Sequence, residues 1–195
     1  GALGAAFIAM PGHKGLYGPQ GTGVLLCRED VPTRPLLEGG TGSQSIQQQM
    51  PDFLPDRLEA GTLNMPGIAG LLAGIRYVRR GGQEKILAHE KHLTQIAAQG
   101  LAAMPGMRIF ASPGLRHQTG VLSLTVEGLD VESIGSALAE RGFAVRTGIH
   151  CAPSAHRTAG TLDTGTVRVS FSDFNTPEEV ARLLRVFPGA LGRAF

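Results

Sequence analysis

The chain has 195 residues, of which 42% are hydrophobic and 17% charged, and its formal net charge is +2. Such a composition can bury a core and excludes an intrinsically disordered chain, while the small net charge and the absence of tryptophan argue against a nucleic-acid partner. No apolar run is long enough to span a bilayer, so no membrane partner is expected.

A glycine-rich stretch separates the first two apolar runs. Residues 5–10 and 24–27 are predicted to be buried strands, and the stretch 11–23 between them carries one lysine, Lys14. So many glycines indicate a backbone that turns sharply or comes close to another group. A lysine in such a turn is expected to lose solvent, which favours a nucleophilic amine suited to a carbonyl cofactor such as pyridoxal phosphate. The alternative is a solvated lysine in an ordinary turn.

Residues 35–65 show little helical or strand periodicity. They include two polar motifs, Gly-Gly-Thr-Gly-Ser at 39–43 and Glu-Ala-Gly-Thr-Leu-Asn at 59–64. Irregular segments of this length within compact domains are usually functional or disordered. Phe53 and Leu54 are poor residues for a flexible linker, so the sequence favours a functional segment.

Two helices are predicted next. Apolar residues recur three and four apart from Pro66 to residue 78, and a second helical pattern covers 83–104. Two glycines interrupt the pattern between them. The chain is therefore expected to divide into two domains, residues 1–82 and 83–195.

The remainder alternates strands and helices, which predicts a small α/β unit. The expected strands cover 107–111, 120–126, 143–146 and 167–171. Asp130 is a plausible N-cap for a helix that Gly142 ends. The run Thr176-Pro177-Glu178-Glu179 predicts a capping box at the start of the last helix.

The loop between the third and fourth predicted strands gathers reactive side chains. Cys151 follows His150 and lies close in sequence to Arg146, and positive charge near a thiol favours the reactive thiolate. Arg168 on the next strand is suited to hold a substrate carboxylate with two parallel hydrogen bonds.

Two alternatives compete for this loop. His150, Cys151 and His156 have the side chains of zinc ligands, although a fourth ligand is not evident, and Cys151 is otherwise an inert thiol on a polar loop. Neither Cys151 nor Cys27 belongs to a Cys-x-x-Cys pair. The sequence therefore predicts no disulfide framework, no metal site and a reducing, cytoplasmic setting.

Three separated motifs follow one another along the chain in a specific order. They are Gly12-His13-Lys14-Gly15 with Gly18-Pro19-Gln20-Gly21; Glu59-Ala60-Gly61-Thr62-Leu63-Asn64; and Val145-Arg146-Thr147-Gly148 with His150-Cys151-Ala152-Pro153, followed by Arg168-Val169-Ser170 and Phe174-Asn175-Thr176. This ordered set covers nearly the whole chain. It resembles the C-terminal half of the cysteine desulfurases and their relatives, the class V aminotransferase family of pyridoxal-phosphate enzymes.

The resemblance implies a role for each motif. Lys14 forms the covalent bond to pyridoxal phosphate and moves protons on the substrate, and His13 lies beside the cofactor phosphate. Thr62 reaches the phosphate of the cofactor in the other subunit. Cys151 matches the cysteine that accepts sulfur, and Arg168 matches the arginine that binds the substrate carboxylate.

Three further residues are expected on the substrate side of the site. Arg146 matches an arginine at the entrance of the active site in the family. Asn64 and His150, which belong to the second and third motifs, are expected to contact the substrate.

The same resemblance implies a fold. It is the α/β fold of pyridoxal-phosphate-dependent transferases, of the aspartate aminotransferase type. Residues 1–82 correspond to the C-terminal part of the large cofactor domain, with 35–65 as a segment of the active site and dimer interface. Residues 83–195 correspond to the small C-terminal domain. The chain begins at Gly1 without a basic leader, and it is expected to be about half of a subunit that is homodimeric in full-length form.

The implied reaction converts L-cysteine to L-alanine and transfers the sulfur to Cys151 as a persulfide. A sulfur-acceptor protein is an expected partner. The alternatives are a related enzyme of the family, namely a selenocysteine lyase, an aminotransferase or an epimerase, and a fragment without catalytic activity.

Overall fold

A computed structural model describes residues 3–192 of the chain. The chain divides into two compact units, Gly1–Gly82 and Gln83–Phe195. The assignment of these units to a cofactor domain and a small domain stays a prediction, and each unit is described by itself below.

The first unit begins with a two-stranded antiparallel ribbon. Strand β1 (Phe7–Pro11) pairs with β2 (Gly23–Cys27). The prediction that both strands are buried is wrong, since the side chains of Phe7, Leu25 and Leu26 are 47%, 52% and 51% exposed. Apolar residues favour a strand, but burial needs a second layer against the ribbon, and the described residues leave the face with Phe7, Ala9 and Leu25 exposed.

Hydrogen bonds fix the irregular segment that follows β2. Its one described regular element is a short 3-10 turn, Asp56–Leu58. Arg57 donates from Nη1 to Asp52 Oδ1 at 2.9 Å and from Nε to the Thr33 carbonyl oxygen at 3.0 Å. The segment is therefore anchored through its own side chains.

Helix α1 (Met65–Gly81) closes the first unit. Asn64 caps its N-terminus, because Asn64 Oδ1 accepts a hydrogen bond from the Gly67 amide at 3.0 Å. Pro66 lies in the first turn, where the missing N–H group has no intrahelical partner to lose. The predicted start of this helix is confirmed.

The second unit is an antiparallel sheet with helices packed against it. Its strands are β3 (Met107–Phe110), β4 (Val121–Val126), β5 (Arg146–Gly148) and β6 (Thr166–Ser170), in the spatial order β3-β4-β6-β5. Its helices are α2 (Gln83–Ala102), α3 (Val131–Ala139), α4 (Pro153–Ala159) and α5 (Pro177–Leu191). The core lies between the sheet and helices α2, α3 and α5, where Leu93, Leu124, Ile134, Val167 and Phe187 are fully buried.

Both predicted N-caps are confirmed. Asp130 Oδ2 accepts a hydrogen bond from the Ser133 amide at 2.9 Å, and this bond lowers the pKa of Asp130. At the start of α5, Thr176 Oγ1 accepts from the Glu179 amide and Glu179 Oε2 accepts from the Thr176 amide, at 3.3 and 3.0 Å. Hydrogen bonds from Asn175 and Thr176 lower the pKa of Glu179.

The predicted position of the third strand of this unit is wrong. The sequence predicts it at 143–146, but β5 is Arg146–Gly148. Phe143 and Val145 provided the apolar signal, and they pack against the core outside the strand. Apolar side chains alone do not determine whether the backbone around them pairs with a neighbouring strand.

Helix α4 lies in a segment for which the sequence predicts a loop. Two signals could have found it: Pro153 at its first position, and Gly160 after its end with a left-handed φ of 69°.

Candidate functional site

Short hydrogen bonds close the loop that carries Lys14. The Gly12 amide donates to the Thr22 carbonyl oxygen at 2.8 Å, and the Gly18 amide donates to the Gly12 carbonyl oxygen at 2.8 Å. A Cβ atom at Gly12 would lie 2.2 Å from Thr22 Oγ1, so glycine is required there. Thr22 Oγ1 in turn donates to the Pro19 carbonyl oxygen at 2.7 Å.

Lys14 and its neighbour His13 are exposed. The expectation that Lys14 loses solvent is therefore wrong for the described residues, because nothing among them covers the tip of the loop. No described carboxylate forms an ion pair with Lys14. The Lys14 amine is accessible to an incoming carbonyl compound.

The second motif runs beside the glycine-rich part of the irregular segment. The Gly61 amide donates to the Gly40 carbonyl oxygen at 2.8 Å, and Thr62 follows as an exposed residue. The side-chain oxygen of Asn64 is committed to the cap of α1, which leaves its amide nitrogen for other contacts. The substrate contact expected of Asn64 stays a prediction.

Cys151 lies at the tip of a tight turn before α4. The Ala152 amide donates to the Ile149 carbonyl oxygen at 3.0 Å, and the two residues between them, His150 and Cys151, have left-handed φ angles of 55° and 59°. Non-glycine residues adopt this conformation at a cost in free energy, and such strain clusters at functional sites. The thiol is exposed, and Arg146 Nη2 lies 3.7 Å from Cys151 Sγ.

His150 is a neutral residue rather than a source of positive charge. Its Nε2 lies 3.2 Å from the Thr166 carbonyl oxygen, and because that oxygen can only accept, a hydrogen bond between them requires the proton on Nε2. Burial lowers the pKa of His150 below its ordinary value of 6.5, and the charge of Arg168 lowers this pKa further. The expectation that His150 supplies charge to Cys151 is therefore wrong, and Arg146 is the cation beside the sulfur.

Two arginines face the same side of the sheet. Arg146 on β5 and Arg168 on β6 are directly opposite each other in the antiparallel register, so their side chains leave the same face. No described carboxylate forms an ion pair with either of them. Arg168 Nε is buried without a hydrogen-bond partner among the described residues, as is His150 Nδ1. A donor and an acceptor are thus available to a ligand that carries a carboxylate and an amine.

Polar residues that the sequence did not single out support this turn. Thr166 contacts His150, with Oγ1 at 3.1 Å from Nε2. Thr147 Oγ1 donates to Glu132 Oε2 at 2.7 Å and ties β5 to the start of α3. No local pattern could reveal these contacts, because Thr166 lies 16 residues from His150 and Glu132 lies 15 residues from Thr147.

The described residues offer no metal site. Within residues 3–192, no group of three or more His, Cys, Asp or Glu side chains is arranged to hold a metal ion. His156 is buried and bonded through Nδ1 to Thr161 Oγ1 at 2.9 Å. The same part of the chain contains no helix of the length and apolar character that crossing a membrane requires.

Comparison with known proteins places this geometry in a family. The sequence model described as "Aminotransferase class-V" matches residues 1–183. The chain belongs to the aminotransferase class-V family. This match confirms the predicted family, whose members are pyridoxal-phosphate enzymes.

Sequence relatives of this class V chain include proteins named as cysteine desulfurases. It is 36% identical over 186 residues to "Probable cysteine desulfurase 2" of Mycobacterium leprae, and 37% identical over 189 residues to "Probable cysteine desulfurase" of Methanothermobacter thermautotrophicus. Each match covers 93% of this chain, and 44% and 46% of the respective relative. The chain thus spans a little under half the length of these relatives.

Solved structures confirm the fold. The apo structure of a cysteine desulfurase from Thermococcus onnurineus NA1 matches with a TM-score of 0.86 at 36% identity, over 97% of this class V chain and 48% of that one. The cysteine desulfurase CsdA from Escherichia coli matches with a TM-score of 0.86 at 30% identity, over all of this chain and 48% of its own. The predicted α/β fold of pyridoxal-phosphate-dependent enzymes is therefore confirmed.

Proposed function

We propose that this class V chain is part of a cysteine desulfurase, a pyridoxal-phosphate enzyme that converts L-cysteine to L-alanine and transfers the sulfur to Cys151. The observation that carries the proposal is the Cys151 turn, in which an exposed thiol lies 3.7 Å from Arg146 Nη2. The names of its sequence relatives support the same reaction.

The residues of the first unit fit the cofactor. Lys14 presents an accessible primary amine, and Gly12 lets the loop that carries it close tightly against Thr22, where a Cβ atom has no space. Lys14 would hold pyridoxal phosphate covalently, while His13 and Thr62 would donate hydrogen bonds to its phosphate, with Thr62 serving the neighbouring subunit of a homodimer. When bound, pyridoxal phosphate withdraws electrons from the α-carbon of the substrate.

Arg168 would orient the amino-acid substrate. Its buried Nε–H group has no partner among the described residues, and a guanidinium forms two parallel hydrogen bonds with a carboxylate. The unprotonated His150 Nδ1 would accept a hydrogen bond from the substrate, and the Asn64 amide nitrogen would donate one. Lys14 would move the proton at the α-carbon.

Cys151 would act as the nucleophile. Its thiolate attacks the sulfur of L-cysteine, the new S–S bond forms, and the electron pair of the broken C–S bond goes to the carbon skeleton. After protonation that skeleton leaves as L-alanine, and the enzyme keeps a persulfide on Cys151. Arg146 stabilises the negative sulfur before and after transfer by a charge-assisted hydrogen bond. The exposure of Cys151 would allow the sulfur to pass to an acceptor protein.

Covalent trapping tests the proposal directly. Borohydride reduction of the full-length holoenzyme, followed by peptide mapping, is expected to place the cofactor on Lys14. A label on another lysine would contradict the assignment.

Assays with a panel of amino-acid substrates distinguish the proposed reaction from the alternative reactions of the family. We expect alanine and a Cys151 persulfide from L-cysteine. Turnover of selenocysteine alone would indicate a selenocysteine lyase, and transfer of the amino group without release of sulfur would indicate an aminotransferase. A holoenzyme that converts no amino acid would favour a chain without catalytic activity.

A further inference from the structure

Helix α1 contains glycines in its interior. Gly67, Gly70 and Gly74 lie three and four residues apart, so they share one face of the helix, which we call the glycine seat. Glycine within a helix is less favourable than alanine, so its repeated use on one face requires a reason. The reason is the close approach of the Lys14 loop.

The closest approach is at Gly74. A Cβ atom there would lie 2.3 Å from the Leu16 carbonyl oxygen and 2.6 Å from the Tyr17 carbonyl carbon. The converse holds for the loop, because a Cβ atom at Gly18 would lie 2.7 Å from Leu71 Cδ1. Helix and loop are therefore in contact with no space for an added methyl group on either side.

The contact continues along the helix toward its N-terminus. A Cβ atom at Gly70 would lie 3.1 Å from the Pro19 ring. One at Gly67 would meet the Asn64 side chain that caps the helix first, and it would also lie 2.8 Å from Thr22 Cγ2. The segment from Leu16 to Thr22 thus runs antiparallel to α1, with Leu16 and Tyr17 against Gly74 and Thr22 against Gly67.

Tyr17 links the glycine seat to the lysine. Its backbone has a left-handed φ of 53°, and its ring meets the Tyr77 ring of α1 edge to face, with centroids 5.6 Å apart. The Tyr17 amide donates to the Lys14 carbonyl oxygen at 3.0 Å. The residue that contacts Gly74 is therefore hydrogen-bonded to Lys14 itself.

We infer that the glycine seat positions Lys14 for its reaction with the cofactor. Gly67, Gly70 and Gly74 are positioning residues, since they act through the loop rather than on the cofactor. A reacting group must be held to within about 0.5 Å of its productive position, and contact between two backbones holds a loop more rigidly than flexible side chains can. The inference rests on the proposed role of Lys14.

Gly74→Ala gives the sharpest test, because the two explanations of this glycine predict opposite changes in the rate of hydrogen exchange. If Gly74 matters only through helix propensity, alanine stabilises α1 and slows local opening. If Gly74 seats the loop, the methyl group pushes the loop away. We expect hydrogen exchange at the Tyr17 and Gly18 amides of the full-length enzyme, without added cofactor, to become at least about tenfold faster.

Ala73→Gly is the matched control. Ala73 is exposed on α1, so this variant lowers helix propensity without touching the loop. Exchange at the Tyr17 and Gly18 amides is expected to change by less than about threefold. Slower exchange in Gly74→Ala, or a change in Ala73→Gly equal to that in Gly74→Ala, would overturn the inference.

A compensating pair tests the contact from the loop side. Gly18→Ala is expected to accelerate exchange at the loop amides because its methyl group meets Leu71 Cδ1. Leu71→Ala removes that atom, so the double variant should exchange more slowly than Gly18→Ala alone. Purely additive effects in this double-mutant cycle would count against a direct contact.

Trapping on Lys14 separates the inference from the proposed function. In holoenzyme with limiting cofactor, Gly74→Ala is expected to reduce the borohydride-fixed fraction on Lys14 several-fold relative to the parent. Equal labelling of both proteins would overturn the inference and leave the proposed function standing. A parent enzyme without label on Lys14 would overturn the proposed function and, with it, the purpose assigned to the glycine seat.

Discussion

The Lys14 loop and the Cys151 turn present their reactive groups by opposite means. The Lys14 loop is held by close contacts of its backbone, which are possible because glycine occupies positions 12, 18 and 74. The Cys151 turn has two non-glycine residues in left-handed conformations and is surrounded by polar side chains. An added methyl group should therefore damage the first, whereas the loss of a charge or hydrogen bond should damage the second.

The largest effect is expected from Cys151→Ala. Without the thiol there is no acceptor for the sulfur, so alanine formation from L-cysteine should fall by at least about 1000-fold. Binding of pyridoxal phosphate should be unchanged, since Cys151 is not among the residues proposed to hold the cofactor. Product analysis and cofactor absorbance measure the two quantities. Sulfur release at the parental rate without added thiol would show that Cys151 is not the acceptor.

A smaller loss is expected from Arg168→Lys. Lysine keeps the positive charge but cannot form the two parallel hydrogen bonds of a guanidinium, so kcat/KM for L-cysteine should fall about 10- to 100-fold, mostly through KM. Arg185→Lys, at an exposed position of α5, serves as the control. Unchanged KM in Arg168→Lys would remove Arg168 from the substrate site.

Gly12→Ala tests the Lys14 loop, the first of the two regions compared. Its methyl group would meet Thr22 Oγ1 and the Thr22 carbonyl oxygen, and such overpacking destabilises a protein by about 1 to 3 kcal/mol. Gly15→Ala is the matched control, because a Cβ atom at Gly15 has no neighbour within 4 Å. Denaturant unfolding of both variants checks the difference. Equal stability of the two variants would show that the loop accommodates a methyl group at Gly12, contrary to this prediction.

The smallest effect concerns pH. The pKa of His150 in the folded chain is lowered by burial first, then by Arg168, with smaller contributions from His156 and Arg146. Because the unfolded state binds the proton more tightly, the contribution of His150 to stability is complete above its unfolded pKa, about 6.5, and is lost as the pH falls through that value toward the lower folded pKa. A His150→Gln variant should lack this part of the pH dependence. An identical pH dependence of the free energy of unfolding in the parent and the variant would contradict this contribution of His150.

Local interactions explain what the sequence could predict. The cap at Asp130 and the capping box at Thr176 and Glu179 are formed by residues three positions apart, so their patterns are visible in the chain itself. The apolar periodicity of α1 and α2 is local in the same way. The ordered motifs around Lys14, Thr62 and Cys151 were enough to identify the family, because each motif is a run of consecutive residues.

Contacts between distant residues account for the rest. The pKa of His150 is lowered by burial first and then by the charge of Arg168, which a neighbouring strand brings close, and neither cause is visible in the residues around His150. Lys14 is exposed because burial depends on what covers the loop, and its own neighbours in the sequence do not show this. Phe143 and Val145 predicted a strand because they are apolar, yet only the packing of the core determined that the backbone there does not pair.

The sequence by itself determined most of the helices and strands and the caps at Asp130 and Thr176, since these depend on interactions within a few positions along the chain. Only the tertiary structure determined the protonation of His150, the pairing of Arg146 with Cys151 in a strained turn, and the fit of the Lys14 loop against the glycine seat. These properties depend on distances of a few ångströms between segments that are separated in sequence. A sequence pattern carries no measure of such distances.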